Sequence, residues 1–521
     1  MAVVTETVDD LYARYGPIYR LLVSSTGMVA AFTMVLTGTM VNVAIPNVMG
    51  AYGVGQDQAQ LMTTAFVVAM TTSQLLNAYV VALVGQRTGF CATLILFATG
   101  SLICASSAEF TTIVFGRVMQ GMASGIIQPL VMVTFFQVFP AERRGFAMGI
   151  YGMSMVLALA LGPVVGGITI DTLSWRYIFF VPLPLIVVAF ALGLVFMPSV
   201  RRADRPKFDW AGYLLLCVAL FCLVSALSNG QKLSWSSDRI FGLLTVAGLA
   251  GAAFLWSQAR AQEALLDLSL FRIPAFAAAV LIAFVFGMGN FATTYAVPVF
   301  GQLIQGLSAT DAGLLMMPAG LIVVAALPYT GRLADQVKAH HAILCGLFFF
   351  FLGTALLGGA DANTPYWSVA FFAMVSRFGM SFIMPSVMST ALKSVPPERL
   401  NAGGGAVNFV RQLGGSLGTN FYVVLLELRT QFHSDALAAT QSAGNMVSRE
   451  LLAEVGGILN AAGVPDAVHQ SGALFYLGQV VHAQANTLGF QDGFLIIASV
   501  FLAAMIPAWV LGRAQARGAE R

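Results

Sequence analysis

Along the chain, polar residues come in short clusters, and between them run apolar stretches too long for the half-buried helices of a water-soluble domain. Fourteen such stretches fall near 24–46, 59–82, 89–107, 110–137, 145–170, 177–197, 210–228, 239–258, 275–301, 312–331, 341–360, 366–392, 402–427 and 489–512. A run of roughly 18 or more apolar residues crosses about 30 Å of hydrocarbon as a helix. The pattern predicts an all-α membrane protein with fourteen transmembrane helices. Ahead of the first stretch, MAVVTETVDDLYARYGPIYRLL has amphipathic spacing, so residues 1–23 are expected to form a short segment lying on the membrane surface. That segment carries Glu6, Asp9 and Asp10, no small-residue cleavage site follows the first apolar run, and it does not read as a cleaved signal peptide.

Composition and charge add a sidedness. The chain is 58% hydrophobic and 9% charged, against about 25% charged in soluble domains. An even number of spans puts both termini on one side. The termini and the loops on that side hold about 18 of the 26 Lys and Arg, the opposite loops about 5, and three arginines lie within spans. The positive-inside rule then makes the termini cytoplasmic, in a multi-pass protein of the cell (inner) membrane, with the basic run RRADRPK (201–207) on the cytoplasmic side. The net charge of +3 is scattered, not patched, so no nucleic-acid partner is expected. Cys91, Cys104, Cys217, Cys222 and Cys345 fall in or beside apolar runs and read as packing residues. No Ser/His/Asp, Cys/His or metal constellation appears, which argues against an enzyme, a metal site or a cofactor; His433, His469 and His482 are too far apart to ligate together.

The chain also repeats itself. QVFPAERRG (137–145) and KSVPPERLN (393–401) match at an offset of 256 residues, which also aligns Pro129 with Pro385 and Gly162 with Gly418. Pro46 and Asp57 correspond to Pro298 and Asp311, and VALVGQRTG (81–89) to GRLADQVKA (331–339). Spans 1–6 thus resemble spans 9–14 in the same orientation, the pattern of two-bundle secondary transporters. The expected divisions are an N-terminal six-helix bundle (24–197), a linker with two extra helices (198–274), a C-terminal six-helix bundle (275–512) with an outer loop (428–488), and a tail (513–521).

Four motifs carry a resemblance to a known family: VNVAIP (41–46), GRVMQG (116–121), LGPVVGG (161–167) followed by WRYIFF (175–180), and RQLGGSLG (411–418). Together they resemble the major facilitator superfamily, and within it the fourteen-span drug:proton antiporters of EmrB/QacA type, over nearly the whole chain. The resemblance implies a major facilitator fold of two pseudo-symmetric six-helix bundles plus two extra helices. It makes Gly162, Pro163, Gly166 and Gly167 the antiporter motif, whose small residues leave a flat face on span 5; that face is expected to pack against the other half and govern its rocking. Ala158 stands where the family's leading glycine usually sits. The turn ALVGQRTGF (82–90) resembles the family's cytoplasmic latch: Arg87 and Gly89 match, while Gln86 replaces the acid and Phe90 the final basic residue. In the second half GRLADQ (331–336) keeps Gly331 and Asp335. These residues are expected to clasp the inward helix ends through charge pairs and helix dipoles; a plain tight turn is the competing account of Arg87 and Gly89.

Arg117, Arg377 and Arg411 lie within spans, each at roughly 2.5–3.5 kcal/mol on insertion scales, so they are expected to face a bundle interior or wet cavity. Arg117 and Arg377 occupy corresponding spans four residues out of register, about one turn, which predicts the same helix face. Hydrogen bonding to backbone carbonyls is the alternative. The resemblance ties Arg117 to proton handling. Family members usually carry an aspartate in span 1 where this chain has Thr37, and no Asp or Glu sits deep in a span; Asp57, Asp311 and Glu427 lie near outer ends. Asp57 and Asp311 are coupling candidates with a helix-capping alternative. Fixed positive charge without fixed negative charge favours neutral or weakly acidic amphiphiles. Further cavity candidates are Asn42, Gln74, Asn77, Asn290, Tyr295 and Asn408.

Residues 428–488 form the one long hydrophilic segment, with helical spacing at 448–459 and 473–488 and a turn at GVPD (463–466). The resemblance suggests that it covers the outer mouth or meets a periplasmic adaptor protein leading to an outer-membrane channel. The expected function is export of small amphiphilic compounds, driven by proton entry through alternating access. The rivals are an importer or facilitator with different coupling, and a non-transporting membrane sensor on the same fold.

Overall fold

The computed structural model describes residues 6–199, 208–233, 235, 237–261, 264–442 and 444–519. The basic run at 201–207 lies outside them. The described residues form eighteen α-helices with short 3-10 turns and no strand. In the first half these are α1 (Val8–Tyr15), α2 (Tyr19–Tyr52), α3 (Gln56–Ser73), α4 (Leu76–Val84), α5 (Gln86–Ala105), α6 (Phe110–Val138), α7 (Arg144–Thr172) and α8 (Leu183–Phe196). The middle pair is α9 (Trp210–Leu233) and α10 (Asp238–Arg260). The second half contains α11 (Pro274–Leu303), α12 (Ala309–Leu315), α13 (Met317–Gln336), α14 (Ala339–Leu357), α15 (Tyr366–Lys393), α16 (Leu400–Ala439), α17 (Met446–Ala461) and α18 (His469–Ala519).

Among the described residues, twelve helices are long and apolar enough to cross a membrane, thirteen when α3 and α4, bent by 60° at their junction, count as one span. The fourteenth expected span is α16. Its glycines and Asn408, Arg411, Gln412 and Asn420 keep its hydropathy low, yet it packs lengthwise against α11 and α18. Helix pairing recurs between the halves: α2 packs on α7 as α11 does on α16, α3 on α6 as α13 on α15, α5 on α6 as α14 on α15, and α2 and α5 on α8 as α11 and α14 on α18. The two extra helices pair with each other, and α9 also reaches α3 and α16. Both termini emerge at one end, here the terminal face, where Ser199 meets Glu6 and Gly512 meets His340.

Lipid tails are as apolar as leucine, so helices in a bilayer associate by close packing of small residues, not by a hydrophobic drive. The glycines show where. A Cβ on Gly100 of α5 would lie 2.8 Å from the Gly116 carbonyl of α6, and one on Gly346 of α14 would lie 2.7 Å from the Gly379 carbonyl of α15. The matched pair Gly162 and Gly418 do the same work in each half: a Cβ on Gly162 would strike Thr39 Oγ1 of α2, and one on Gly418 would lie 2.5 Å from the Met288 Cα of α11.

Two expectations are corrected here. The antiporter-motif glycines do not meet the other half. Gly162 and Gly166 press on Leu36, Thr39 and Met40 of α2 in their own bundle, while a Cβ on Gly167 would meet nothing within 4 Å, and Pro163 is exposed. One helical face cannot hold positions 162, 166 and 167 at once, since adjacent residues point about 100° apart. The residues of α7 that meet the second half lie nearer the terminal face. In the outer segment 428–488 the two helices expected from spacing are present as α17 and the start of α18, but the stretch before them is not loop, because α16 continues to Ala439. No proline or glycine interrupts 428–439, so loss of hydrophobicity there ends the span without ending the helix.

Gly162→Ala is expected to cost about 1–3 kcal/mol by overpacking, whereas Gly167→Ala should shift stability by no more than about 0.5 kcal/mol. Thermal unfolding of the detergent-solubilised protein compares them, and equal losses would contradict this placement of α7.

Candidate functional site

The two bundles meet at the terminal face through α7 and α13. Here GRLADQ brings Gly331 against Gly145: a Cβ on either would lie 2.5–2.6 Å from the other's carbonyl oxygen. That approach carries the Asp335 carboxylate, 6% exposed, onto the start of α7, where it accepts hydrogen bonds from the Gly145 N–H (2.6 Å) and the Phe146 N–H (2.9 Å). Those amides belong to the first turn, which has no partners of its own within the helix, and a carboxylate there also meets the positive end of the helix dipole. Lys393 Nζ, 3.9 Å away, adds a second positive group. The Arg332 guanidinium lies 4.8 Å from the Phe146 ring centroid on the same seam.

The corresponding turn in the first half does something else. Gly85, between α4 and α5, has φ +84°, a conformation that suits glycine, and Gly89 packs on Val80. Gln86 Nε2 donates to Thr134 Oγ1 at 2.5 Å, within its own bundle. Arg87 is held by Glu6 at 2.5 Å and donates from Nε to the Met197 carbonyl at 2.6 Å. Glu6 and Thr134 are partners that the sequence did not nominate, because nothing in local spacing links residue 6 to residue 87.

The buried arginines separate into distinct surroundings. Arg117 is fully buried; Nε donates to the Met62 carbonyl of α3 (3.4 Å), Nη1 to Gln120 Oε1 (2.9 Å), and Gln120 in turn to Ser101 Oγ of α5 (2.7 Å). Its guanidinium lies 4.1 Å from the Phe66 ring centroid. Arg377 donates to Asn290 Oδ1, to Thr294 Oγ1 at 2.6 Å and to the Asn290 carbonyl at 3.4 Å, all on α11. The two therefore face non-equivalent partners, α3 and α5 for one and α11 for the other. The expected equivalence fails although a four-residue offset leaves the two positions within about 40° around the helix, because the side chains find acceptors on different neighbours. Arg411, half-buried, donates to Asn408 Oδ1 at 3.3 Å. No carboxylate pairs with any of the three among the described residues.

The remaining candidates divide between the seam and the far half. Asn77 donates to Asn401 Oδ1 at 3.3 Å, joining α4 to α16, and a Cβ on Gly405 would lie 2.7 Å from the Gln74 carbonyl. Gln74 itself is fully buried at the α3–α4 break, and neither its Nε2 nor its Oε1 has a hydrogen-bond partner among the described residues. Asn408 Nδ2 approaches Met132 Sδ of α6 at 3.3 Å. Thr37 donates back to the Thr33 carbonyl at 2.8 Å within α2. Asn42 accepts from Thr63 at 3.2 Å and is exposed, as is Tyr295. Ser308 caps α12: its Oγ accepts the Asp311 N–H at 3.0 Å and donates to the Asp311 carboxylate at 2.7 Å, so Asp311 is a first-turn acid tied to the cap and not the cap itself. The side chain of Asp57 lies outside the described residues. A missed acid is Asp492 of α18: its Oδ2 takes Arg429 Nε and His433 Nε2, each at 2.6 Å. It stands inside a candidate span, and its partners lie in the segment that the sequence presented as a loop.

Two bundles of matched helix pairing, seamed by a helix-end clasp and holding polar side chains along the seam, define a secondary-transporter architecture. The Major Facilitator Superfamily profile matches residues 27–419, and the chain belongs to that superfamily: it is a multi-span membrane transporter, not an enzyme. The chain is 27% identical over 491 residues to the multidrug export protein EmrB of Escherichia coli K12, covering 92% of this chain and 93% of the relative. It is 26% identical over 399 residues to the lincomycin resistance protein LmrB of Listeria monocytogenes, covering 77% and 85%. Among solved structures it resembles the human organic anion transporter MFSD10, with TM-score 0.60 at 13% identity over 94% of this chain and 99% of that one, a likeness of fold.

Asn290→Ala removes the side-chain Oδ1 that the Arg377 Nη1 donates to, leaving the backbone carbonyl and Thr294, and a buried donor left unmatched costs about 1–3 kcal/mol. The expected result is a lowered melting temperature that Asn290→Asp does not share, because a carboxylate restores the acceptor. Unchanged stability in Asn290→Ala would remove the clamp from the account.

Proposed function

We propose that this transporter exports small amphiphilic compounds across the cell membrane in exchange for protons, with both termini cytoplasmic. The observation that carries this reading is the similarity to a multidrug export protein over more than nine-tenths of both chains. The geometry is suited to alternating access: the bundles are clasped at the terminal face by Asp335, while Asn42 and Tyr295, toward the other face, are exposed. Arg117 and Arg377 are absorbed in helix–helix contacts, so a preference for neutral or weakly acidic compounds rests on half-buried Arg411 with Asn408.

Coupling runs through the proton gradient with no cofactor. Thr37 replaces the usual first-span acid and Asp311 is tied to the capping Ser308 at the start of α12, which makes Asp492 beside His433 the peripheral acid best placed to carry a proton. The α16–α17–α18 helices beyond the far face offer exposed Phe432, Val447, Ile458 and Phe475, a surface on which a periplasmic adaptor protein leading to an outer-membrane channel would sit.

Counterflow in proteoliposomes tests the reading with three labelled probes: a lipophilic weak acid, a neutral amphiphile and a quaternary ammonium dye. The expected result is exchange of the first two, accelerated by a proton gradient directed against substrate movement. Preference for the dye would contradict the substrate class, and exchange indifferent to the gradient would make the protein a facilitator.

A further inference from the structure

The terminal face has two inter-bundle seams, related by the internal repeat, and they are built differently. At the α7–α13 seam, glycine packs on glycine and the Asp335 carboxylate holds the amides of Gly145 and Phe146. A second contact follows deeper in, where a Cβ on Gly149 would strike the Leu327 carbonyl. Charge, dipole and close backbone approach all act at one place.

At the α4–α16 seam the equivalent residues are spent elsewhere. Gln86, at the position matching the Asp335 carboxylate in the latch pattern, is neutral and bonded to Thr134. Arg87 is turned to Glu6 and to the Met197 carbonyl, at the surface segment and the end of α8. Ser199 N–H donates to the Glu6 carbonyl at 2.9 Å, and Tyr19 OH donates to the Phe196 carbonyl at 3.1 Å, which pins the segment before α1 and the start of α2 to that end of α8. The start of α16 consequently has no side-chain cap; its N-terminal flank is Arg399, bonded outward to Asp267 at 3.3 Å. What crosses the seam is the neutral Asn77–Asn401 pair, with the Asn77 Oδ1 unpartnered and buried, and deeper in a close approach of Gly405 to the Gln74 carbonyl that matches Gly149 at the other seam, so the two seams differ in charge and capping and not in their glycine packing. Gln86 and Asn401 line one cavity of about 1190 Å³ at this seam.

The helix break reinforces the contrast. α3 is fastened to its own bundle, since Arg117 holds the Met62 carbonyl and a Cβ on Gly121 or Gly125 would strike the Phe66 or Met70 carbonyl. α4, beyond the 60° bend, carries the contact to α16. The bend separates the part of this span that belongs to the first bundle from the part that touches the second.

We propose that the terminal face opens on one side: the α7–α13 seam is the hinge, the α4–α16 seam parts, and Gln86 is the positioning residue whose missing charge permits this. The proposal rests on the alternating-access reading above.

The experiment places spin-label pairs across each seam in the full-length chain in lipid nanodiscs, at Ala82 and Ala402 for α4–α16 and at Glu142 and Gln336 for α7–α13, with the unlabelled-site chain as background for the native cysteines. Distances are measured over a range of pH and with the lipophilic weak acid in excess. The expected result is a second, longer population across α4–α16 while the α7–α13 distribution keeps its width and centre. Gln86→Asp, which returns a carboxylate to the turn that shares a cavity with Asn401 at the start of α16, should shrink that longer population. Both seams lengthening together would overturn the proposal, as would a longer population that Gln86→Asp leaves untouched. Two rigid seams in labelled protein that still performs counterflow would also overturn it. Two rigid seams in protein that performs no counterflow with any probe, the unlabelled chain included, would instead count against export.

Discussion

The structure depends on one carboxylate reaching the first turn of a helix in the opposite bundle. Asp335 can accept from Gly145 and Phe146 because Gly145 and Gly331 carry no side chains to hold the backbones apart. A single methyl group on either would push the acid out of hydrogen-bonding range. The interaction matters because no hydrophobic drive pulls two apolar bundles together in a bilayer, so close packing and hydrogen bonds between them must do so. Charge at a helix N-terminus contributes up to about 2 kcal/mol in a partly buried setting, enough to favour one place of contact between the bundles over another.

Packing inside each bundle obeys a different rule. Glycines on facing helices bring backbones into contact, as at Gly100 with Gly116 and Gly346 with Gly379, and these contacts repeat across the halves. Buried arginines then lock what the glycines align. Arg117 ties α6 to α3 and α5, and Arg377 ties α15 to α11, each through hydrogen bonds to uncharged acceptors. Such residues are costly in lipid, and here carbonyls, amides and hydroxyls take up most of their donors, while the Arg117 Nη2 is buried with no hydrogen-bond partner among the described residues.

Much of the fold was legible because membrane crossing imposes length and hydropathy on every span, and because the halves share landmarks such as Pro129 with Pro385 and Gly162 with Gly418. The legible part of the site was the part encoded by a local pattern: GRLADQ announced Asp335. What escaped notice depends on contacts between distant segments. Glu6 answers Arg87 across most of the first bundle, Thr134 takes Gln86, and Asp492 gathers Arg429 and His433 from a helix that looked like a loop. Gly167 was grouped with Gly162 by adjacency in a motif, although helical geometry turns it away from α2. α16 escapes a hydropathy criterion for the same reason it is useful, since its glycines and polar residues are what meet α11 and the seam.

The most direct measurement is amide hydrogen exchange at the start of α7 in the native chain and in Asp335→Asn and Asp335→Glu, in lipid nanodiscs. The account predicts that residues 144–149 and 327–335 exchange faster in Asp335→Asn, and that Asp335→Glu, which keeps the charge, falls nearer the native protein. Exchange at both segments unchanged by loss of the charge would show that the bundles are held together by something other than this carboxylate.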